Sequence, residues 1–327
     1  MNRMFGPQPK PGACILAFTS GDPAGVGPEA VVSLLRRGAL WRVCRPVLVG
    51  EASVWKRAGW RPGLSPLADT GLGLRPPRFG QPAAEGGKAS FAAVRLAVRL
   101  AGRGLVAGVV TAPISKLAWR AAGVPHRDHT EYLEHETGFK TRMVLAAPDH
   151  GLWTIVATTH IPLAAVAGSL DRAGVAACGR ALDEALRALG LRPRGRRHPR
   201  LGLCALNPHG GEHGLMGAEE GRVLAPAARA ARKAGLALQG PIPADAAWRM
   251  HRQGLLDGLV CLYHDQAMMP LKAAAGLGIV NWTLGIPFPR VSPGHGTAFD
   301  LAGKGKADAG PTLAAARLAA KVSGIMT

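Results

Sequence analysis

The amino-acid sequence predicts an α/β fold with a mostly parallel sheet, and three observations support this. Short apolar runs alternate along the chain with longer stretches rich in alanine, arginine and leucine, as in strand–helix–strand units. Many apolar runs are hydrophobic at every position, which is typical of strands covered on both faces. The chain has 327 residues, 47% of them hydrophobic, which is enough for two α/β lobes.

Eight of the apolar runs are predicted as strands and six of the longer stretches as helices. Pro28 suits a first helical position, and Asp171 and Asp245 are predicted as helix N-caps. The predicted strands are Cys14–Thr19, Pro46–Gly50, Leu105–Thr111, Arg142–Ala147, Trp153–Thr158, Leu201–Leu206, Gly258–Tyr263 and Ile279–Leu284. The predicted helices are Pro28–Arg37, Lys88–Ala101, Asp171–Leu189, Ala218–Ala234, Asp245–Gln253 and Pro311–Ser323.

The chain is strongly basic, because 40 Lys and Arg exceed 21 Asp and Glu and give a net charge of +19. Such a charge suggests nucleic acid as a partner, but aromatic residues, which would stack on bases, make up only 5% of the chain. Five arginines lie in the nine residues Arg192–Arg200, which we interpret as a solvated surface loop. The charge therefore favours anionic small molecules, rather than nucleic acid, as ligands.

Cysteine usage and the absence of long apolar runs predict a cytoplasmic protein. The five cysteines are scattered without a CxxC pair, which fits a reducing compartment and argues against a cysteine zinc site. The start of the chain, MNRMFGPQPKPG, lacks the apolar segment of a secretory signal. No uncharged apolar run reaches about 18 residues, so we expect no membrane-spanning helix.

Three histidines follow apolar strands at their carboxyl ends. His160 follows WTIVATT, His209 follows LGLCALNP and His264 follows GLVCLY. In open α/β sheets ligands bind just beyond these strand ends. Any one of them, taken singly, is more typical of a hydrogen-bonded loop or core residue, but three imidazoles at matching positions are equally compatible with an open metal site.

Other polar residues stand at turns and helix starts. His129 and Thr130 open a predicted helix, where backbone N–H groups suit a phosphate or carboxylate, although DHTE is also typical of a plain capping box. Arg290 lies between two proline-containing turns. Taken alone it is predicted as an ordinary surface arginine, while a fixed guanidinium there could clamp a phosphate. Asp245, in GPIPAD, is either an N-cap or a site residue.

Two glycine-rich segments connect a strand or loop to a helix. The first, Ser20–Glu29, matches neither GxGxxG nor GxxxxGK[ST], so it is not a standard dinucleotide or phosphate-binding loop. The second, Gly294–Pro311, offers groups for a ribose or an adenine. These groups are His295, Thr297 and Asp300.

Nine motifs occur together and in order: GDPAGVGPE, TAPISK, HTEYL, TTHIPL, LNPHGGEHG, GPIPAD, YHDQ with Lys272, NWTLGIPFPR and HGTAFDLAGKG. Together they resemble the 4-hydroxythreonine-4-phosphate dehydrogenase family of pyridoxal phosphate biosynthesis, over nearly the whole chain. The last motif also resembles the cofactor loop of isopropylmalate and isocitrate dehydrogenases. The resemblance implies their fold: two α/β/α lobes with a cleft between them, one formed by residues 1–137 and 285–327, the other by residues 138–284.

The resemblance also implies roles for individual residues. The metal ligands would be His160, His209 and His264, the last reaching the site of a neighbouring subunit in a homodimer. Zinc is the favoured ion, with magnesium, manganese and cobalt as alternatives. Substrate contacts would be His129, Thr130, Lys272, Asn281 and Arg290. The cofactor, NAD or NADP, would lie on Gly294, His295, Gly296, Thr297 and Asp300. Lys272 or Asp245 would accept the proton of the reacting hydroxyl.

The implied reaction is oxidation of 4-phosphooxy-L-threonine to a β-keto acid, which decarboxylates to 3-amino-2-oxopropyl phosphate. The alternative is a paralogous dehydrogenase for a four-carbon sugar acid phosphate, such as threonate or erythronate 4-phosphate, or for a carboxylated cyclic diol. This chain departs from the family at two places. Asp128 stands where the family usually has glycine, and HDQAMMP replaces HDQGLP. An acid beside an anion pocket weakens anion binding unless it points away.

Overall fold

A computed structural model describes residues 12–326 of the chain. Within them, helices alternate with the strands of a mostly parallel sheet, so the predicted α/β class is confirmed. The chain forms two compact units, Met1–Thr141 with Val280–Thr327, and Arg142–Ile279. Residues 1–11, on which the expectation of no secretory signal rests, lie outside the described residues.

The regular elements are numbered in chain order. The strands are β1 (Ile15–Thr19), β2 (Arg45–Val49), β3 (Leu67–Ala68), β4 (Gly108–Thr111), β5 (Arg142–Ala147), β6 (Leu152–Val156), β7 (Leu201–Cys204), β8 (Leu238–Ile242), β9 (Gly258–Cys261), β10 (Val280–Leu284) and β11 (Arg290–Pro293). The helices are α1 (Gly27–Arg36), α2 (Ala52–Arg57), α3 (Ala84–Gly102), α4 (Lys116–Ala121), α5 (His129–Thr137), α6 (Leu163–Ser169), α7 (Arg172–Ala188), α8 (Ala225–Lys233), α9 (Ala244–Arg252), α10 (His264–Ala275) and α11 (Gly310–Met326).

The first unit contains six strands in the order β3-β2-β1-β4-β11-β10, parallel except for the last pair. Consecutive residues of β1, from Leu16 to Phe18, are fully buried, so both faces of this strand are covered. The helix α3 packs its small residues on β1 and β4. At Gly87 a Cβ atom would lie 2.0 Å from the carbonyl oxygen of Ala118, so glycine is what lets α3 approach α4 closely.

The second unit contains the strands β5-β6-β9-β7-β8, antiparallel only between β5 and β6. Its core combines strand residues with the inner faces of α9 and α10, including Trp248, Leu259 and Leu271. The strands β6, β9 and β7 are neighbours and run parallel, so their carboxyl ends lie at one edge of the sheet. The segments that carry His160, His264 and His209 leave from this edge.

All eight predicted strands are present, with ends shifted by up to three residues. Three strands were not among those predicted: Leu67–Ala68, Leu238–Ile242 and Arg290–Pro293. The first has only two residues, and glycine or proline lies within or beside the other two. The predicted N-cap Asp171 is confirmed, since its side chain accepts from Gly174 N. The predicted N-cap Asp245 is wrong, because Pro243 occupies that position and Asp245 lies inside the first turn of α9.

None of the described helices combines the length and hydrophobicity that a bilayer-spanning segment requires.

A buried histidine makes the stability of the second unit sensitive to acid. His251 Nε2 accepts from Trp153 N at 2.9 Å, and Nδ1 donates to the carbonyl of Leu256 at 2.9 Å. Burial lowers the pKa of His251, which therefore stays neutral in the folded state. Because the unfolded chain binds the proton more tightly, stability is complete above the ordinary pKa of 6.5 and falls as the pH drops below it.

We expect His251→Leu to lower the free energy of unfolding by about 2–5 kcal/mol at neutral pH, since two buried backbone groups lose their partners. Thermal melts of wild type and variant at pH 7.5 and pH 5.5 measure both effects, with exposed His150→Leu as the control. The wild type should lose more stability on acidification than His251→Leu does. Equal losses would show that His251 is not the group that titrates.

Candidate active site

Arg290 is a buried cation at the start of β11. Its strand lies between β4 and β10, which places threonines on both sides of the guanidinium. Nε and Nη2 donate to Thr111 Oγ1 at 3.0 and 2.7 Å, and Nη1 donates to Thr283 Oγ1 at 3.0 Å. The interpretation as an ordinary surface arginine is therefore wrong, since the residue is 3% exposed.

The guanidinium of Arg290 donates to uncharged groups. All three hydrogen bonds described above end on threonine hydroxyls. Burial lowers the pKa of Arg290 to about 10, and the nearby charge of Asp128 opposes that change. Arg290 therefore remains a cation at neutral pH, and the two of its five N–H donors that the threonines do not use make it a suitable ligand for an anion.

Asp128 and His129 begin α5 beside this cation. Asp128 Oδ1 accepts from the backbone N of Thr130 and Glu131 at 3.0 and 3.2 Å, so the predicted capping role is confirmed. His129 follows as the first helical residue. Burial, and after it the charge of Arg290, lowers the pKa of His129 well below its usual range. The ring is thus neutral at physiological pH and can donate or accept a hydrogen bond.

The acid that replaces the family's usual glycine is largely compensated within the first unit. Asp128 Oδ2 lies 3.1 Å from Lys116 Nζ, in addition to the two backbone N–H groups at Oδ1. Asp128 is therefore held by the helix terminus and Lys116. The anion pocket keeps a net positive charge from Arg290 and Lys116 despite the substitution.

Removing the Asp128 charge should strengthen anion binding. We expect Asp128→Asn to preserve the cap of α5, since Asn caps as well as Asp, and to leave the Lys116 cation unpaired. The KM of a phosphorylated substrate should fall several-fold at low ionic strength, and the difference should shrink as salt is added. The control is Asp149→Asn, which removes the same charge at an exposed position. An unchanged or higher KM in Asp128→Asn alone would show that the carboxylate contributes favourably to binding.

The buried polar atoms of the first unit that have no partner among the described residues include His129 Nε2 and Asn281 Oδ1. Asn281 lies two residues before Thr283 on β10, so both side chains stand on the face that carries the Arg290 contact. Buried polar atoms of a folded protein normally have partners, so orphaned atoms call for an explanation. A ligand that bonds both atoms beside Arg290 supplies one.

The second unit brings two of the three candidate metal ligands together. The ring centroids of His160 and His264 lie 5.8 Å apart. His264 Nδ1 is 2.7 Å from Asp265 Oδ1, which orients that ring and leaves Nε2 available. His209 belongs to a different arrangement: the five residues from His209 to His213 all have positive φ, between 46° and 78°.

Such a left-handed run is costly for residues other than glycine, at about 1–2 kcal/mol each. Buried Glu220 holds the residues just before this run, because its carboxylate accepts hydrogen bonds from the backbone N of Leu206 and Asn207 at 2.9 and 2.8 Å. Sequence reasoning missed Glu220, because its role becomes visible only once the loop and the following helical turn are seen packed together.

The residues of one chain do not form a complete metal site. Among the described residues no group of three or more His, Cys, Asp or Glu side chains is placed to hold a metal ion. A structural zinc site takes four ligands and an open catalytic site takes three from the protein. The pair His160 and His264 supplies two imidazoles, so a divalent ion would need a further protein ligand.

The two candidate proton acceptors, Lys272 and Asp245, are exposed and lie on two different helices. Lys272 is exposed on α10, eight residues and therefore about 12 Å along the helix axis from His264. Asp245 is exposed in the first turn of α9 and borders a cavity of about 550 Å³ between α9 and α10, with Trp248 and Pro270 among its other walls.

The candidate cofactor loop packs against the first glycine-rich segment. The carbonyl oxygen of Thr297 accepts from Val26 N at 3.0 Å. A Cβ atom on Gly25 would lie 2.8 Å from that oxygen, so the glycine permits the contact. His295 Nε2 is buried without a partner among the described residues. Sequence analysis did not connect these two segments, which lie about 270 residues apart.

Comparisons with known proteins identify the chain as an α/β oxidoreductase. A family model described as "Pyridoxal phosphate biosynthetic protein PdxA" matches residues 43–319. The chain belongs to this family, and the resemblance drawn from its nine motifs is confirmed.

Named relatives cover nearly the whole chain. A 4-hydroxythreonine-4-phosphate dehydrogenase of Paracoccus denitrificans is 39% identical, over 93% of this chain and 96% of the relative. A D-threonate 4-phosphate dehydrogenase of Bordetella bronchiseptica is 38% identical, over 94% and 92%. Overall identity therefore does not separate these two activities.

Solved structures give the same result. The crystal structure of 4-hydroxythreonine-4-phosphate dehydrogenase from Klebsiella pneumoniae has a TM-score of 0.82 at 34% identity, covering 95% of this chain and 98% of that one. A terephthalate 1,2-cis-dihydrodiol dehydrogenase from Burkholderia xenovorans has a TM-score of 0.65 at 31% identity, covering 94% and 98%.

Proposed function

We propose that this chain oxidises 4-phosphooxy-L-threonine at C3, with NAD or NADP as the hydride acceptor, as a step of pyridoxal phosphate biosynthesis. The observation that carries the proposal is the buried Arg290, a cation whose hydrogen bonds go to two threonine hydroxyls, beside neutral His129 and its orphaned Nε2. The phosphate of the substrate would bind this cation. The relatives named for this reaction support the same substrate.

Each candidate site residue has a proposed role in the reaction. Arg290 binds the phosphate as a charged fork, while His129, Thr130 and Asn281 bond neutral or anionic oxygens of the substrate. Lys272 or Asp245 accepts the proton of the C3 hydroxyl. Residues 294–300 would hold the nicotinamide cofactor, which would supply the acceptor for the hydride of C3. The resulting β-keto acid loses its carboxylate as CO₂, and protonation of the enolate gives 3-amino-2-oxopropyl phosphate.

The reaction is tested by its stoichiometry. Purified protein is incubated with 4-phosphooxy-L-threonine and NAD or NADP, and reduced nicotinamide, CO₂ and 3-amino-2-oxopropyl phosphate are measured together. The proposal predicts equal amounts of all three. Oxidation without CO₂ release would contradict the decarboxylation, and the absence of reduced nicotinamide with either cofactor would contradict the dehydrogenase.

A second candidate is D-threonate 4-phosphate, favoured by the relative of that name at nearly the same identity. It carries the same phosphate for Arg290, and a hydroxyl replaces the amine at C2. A cyclic carboxylated diol, suggested by the name of one structural neighbour, lacks the phosphate and would offer Arg290 a singly charged carboxylate instead of a dianion.

We further propose a homodimer that binds a divalent ion, zinc in the first instance, with His160 and His264 among the ligands. The resemblance assigns His264 to the site of the neighbouring subunit, whereas within one chain the two rings already lie 5.8 Å apart. These arrangements predict different results when two defective variants are mixed.

Complementation between His160→Ala and His264→Ala separates the two arrangements. If ligands are shared across subunits, a mixed dimer regains one complete site, and its activity and zinc content should recover to about half of the wild-type dimer. Exposed His150→Ala provides the control for mixing. If verified mixed dimers neither bind zinc nor turn over, both rings serve a site in their own chain and the shared site is wrong.

A further inference from the structure

Three segments of the first unit meet around the candidate cofactor loop. The loop touches residues 25–26 through Thr297, as described above. The third segment is Pro77–Gly80. Gly80 N donates to the carbonyl of Ala24 at 3.0 Å, which ties this segment to the first glycine-rich segment.

The same third segment also contacts the cofactor loop directly. A Cβ atom on Gly303 would lie 2.4 Å from Cδ2 of Phe79, so the aromatic ring lies against the backbone of the loop. A Cβ atom on Gly80 would lie 3.2 Å from the carbonyl oxygen of Phe299. The conformation of residues 297–303 therefore depends on where the other two segments are held.

One side chain joins those two segments. Arg57, at the end of α2, donates Nη2 to the carbonyl of Pro23 and Nη1 to the carbonyl of Pro77. Its guanidinium also lies 4.1 Å from the ring centroid of Phe79. The charge of buried Asp22 favours the guanidinium cation at this place, against the burial that lowers the pKa of Arg57.

We propose that Arg57 is a positioning residue for the nicotinamide cofactor. The two hydrogen bonds of its planar guanidinium fix the spacing between Pro23 and Pro77. Phe79 follows Pro77 and packs against Gly303, so the position of Pro77 determines the position of the cofactor loop. A loop held in its bound conformation loses less entropy when the cofactor binds. The proposal rests on the proposed function, because it assigns the cofactor to residues 294–300.

The contacts of Arg57 predict that its loss changes cofactor binding and leaves substrate binding unchanged. None of the contacts of Arg57 involves Arg290, His129 or Asn281, which form the anion pocket. Loss of Arg57 should therefore weaken NAD binding and leave the affinity for the phosphorylated substrate intact. A purely structural role would instead lower both affinities together, or only the melting temperature.

The test uses Arg57→Met and Arg57→Lys, with exposed Arg61→Met as the control. NAD dissociation constants by calorimetry, the KM values of cofactor and substrate, and melting temperatures are measured on the purified proteins. We expect Arg57→Met to weaken NAD binding by about tenfold, equivalent to about 1.4 kcal/mol. Arg57→Lys keeps the charge but not the planar fork, so its NAD affinity should lie between those of Arg57→Met and the wild type. The substrate KM should stay within about twofold.

Gly25→Ala disturbs the same loop from its other side and keeps Arg57 intact, so it carries the test if an Arg57 variant does not fold. It should also weaken NAD binding without changing the substrate KM. NAD affinity equal to that of the wild type in folded Arg57→Met or Gly25→Ala would overturn the proposal. So would equal losses for cofactor and substrate. A wild-type protein that binds neither NAD nor NADP would instead overturn the proposed function.

Discussion

Arg290→Met should lower kcat/KM for the phosphorylated substrate by about 10²–10⁴-fold. Two charge-assisted hydrogen bonds to phosphate are lost, each contributing about 1.5–3 kcal/mol. Arg290→Lys keeps the charge without the bidentate geometry, so it should raise KM more than it lowers kcat, because the phosphate is remote from the reacting C3. Steady-state kinetics on 4-phosphooxy-L-threonine measure both effects.

Two controls isolate the phosphate contact. Arg200→Lys removes a matching fork, since Arg200 donates Nε and Nη2 to the two carboxylate oxygens of Asp257 at 3.1 and 2.8 Å in the other unit. It should leave KM unchanged. The substrate without its phosphate should be nearly insensitive to Arg290→Lys. Equal fractional losses for the two substrates would mean that Arg290 does not bind the phosphate.

The proton acceptor is the second group whose loss should have a large effect. Replacement of the acting base should lower kcat by about 10²–10⁴-fold, the usual contribution of general base catalysis. Lys272→Met and Asp245→Asn are therefore compared for kcat and for substrate KM. The variant that lacks the base should lose kcat far more than it raises KM, because the base acts only on the reacting hydroxyl.

The separate values of kcat and KM distinguish catalysis from binding. A variant that retains the wild-type kcat but shows a raised KM has lost a substrate contact and not the base. Exposed Lys233→Met is the control for removing a lysine from the second unit. Losses below about tenfold in both Lys272→Met and Asp245→Asn would exclude both residues as the proton acceptor.

The strand pattern and the family were predictable because both depend on local sequence. Buried parallel strands are hydrophobic at every position, and each of the three histidines lies within five residues of the end of such a strand. The burial of Arg290 was not predictable, because it follows from the placement of β11 between β4 and β10. Thr111 and Thr283 became partners of Arg290 only through that order, across 179 and 7 residues of chain.

Local signals also failed where a backbone conformation is unusual. LNPHGGEHG shows its glycines, but nothing in the motif indicates that His209, Glu212 and His213 share their positive φ. Asp245 matched an N-cap by residue type, yet the helix begins earlier, after Pro243. The role of Arg57 rests on carbonyl groups 34 and 20 residues away, and sequence patterns carry no information about such backbone partners.

The central claim is that this chain oxidises 4-phosphooxy-L-threonine, and its most direct test is a paired measurement of kcat/KM. Both 4-phosphooxy-L-threonine and D-threonate 4-phosphate are assayed with the same preparation by the appearance of reduced nicotinamide. We expect the amino acid phosphate to be preferred by at least about tenfold, a difference of about 1.4 kcal/mol in the transition state. A preference of that size for D-threonate 4-phosphate would contradict the claim and assign the chain to the activity of its Bordetella relative.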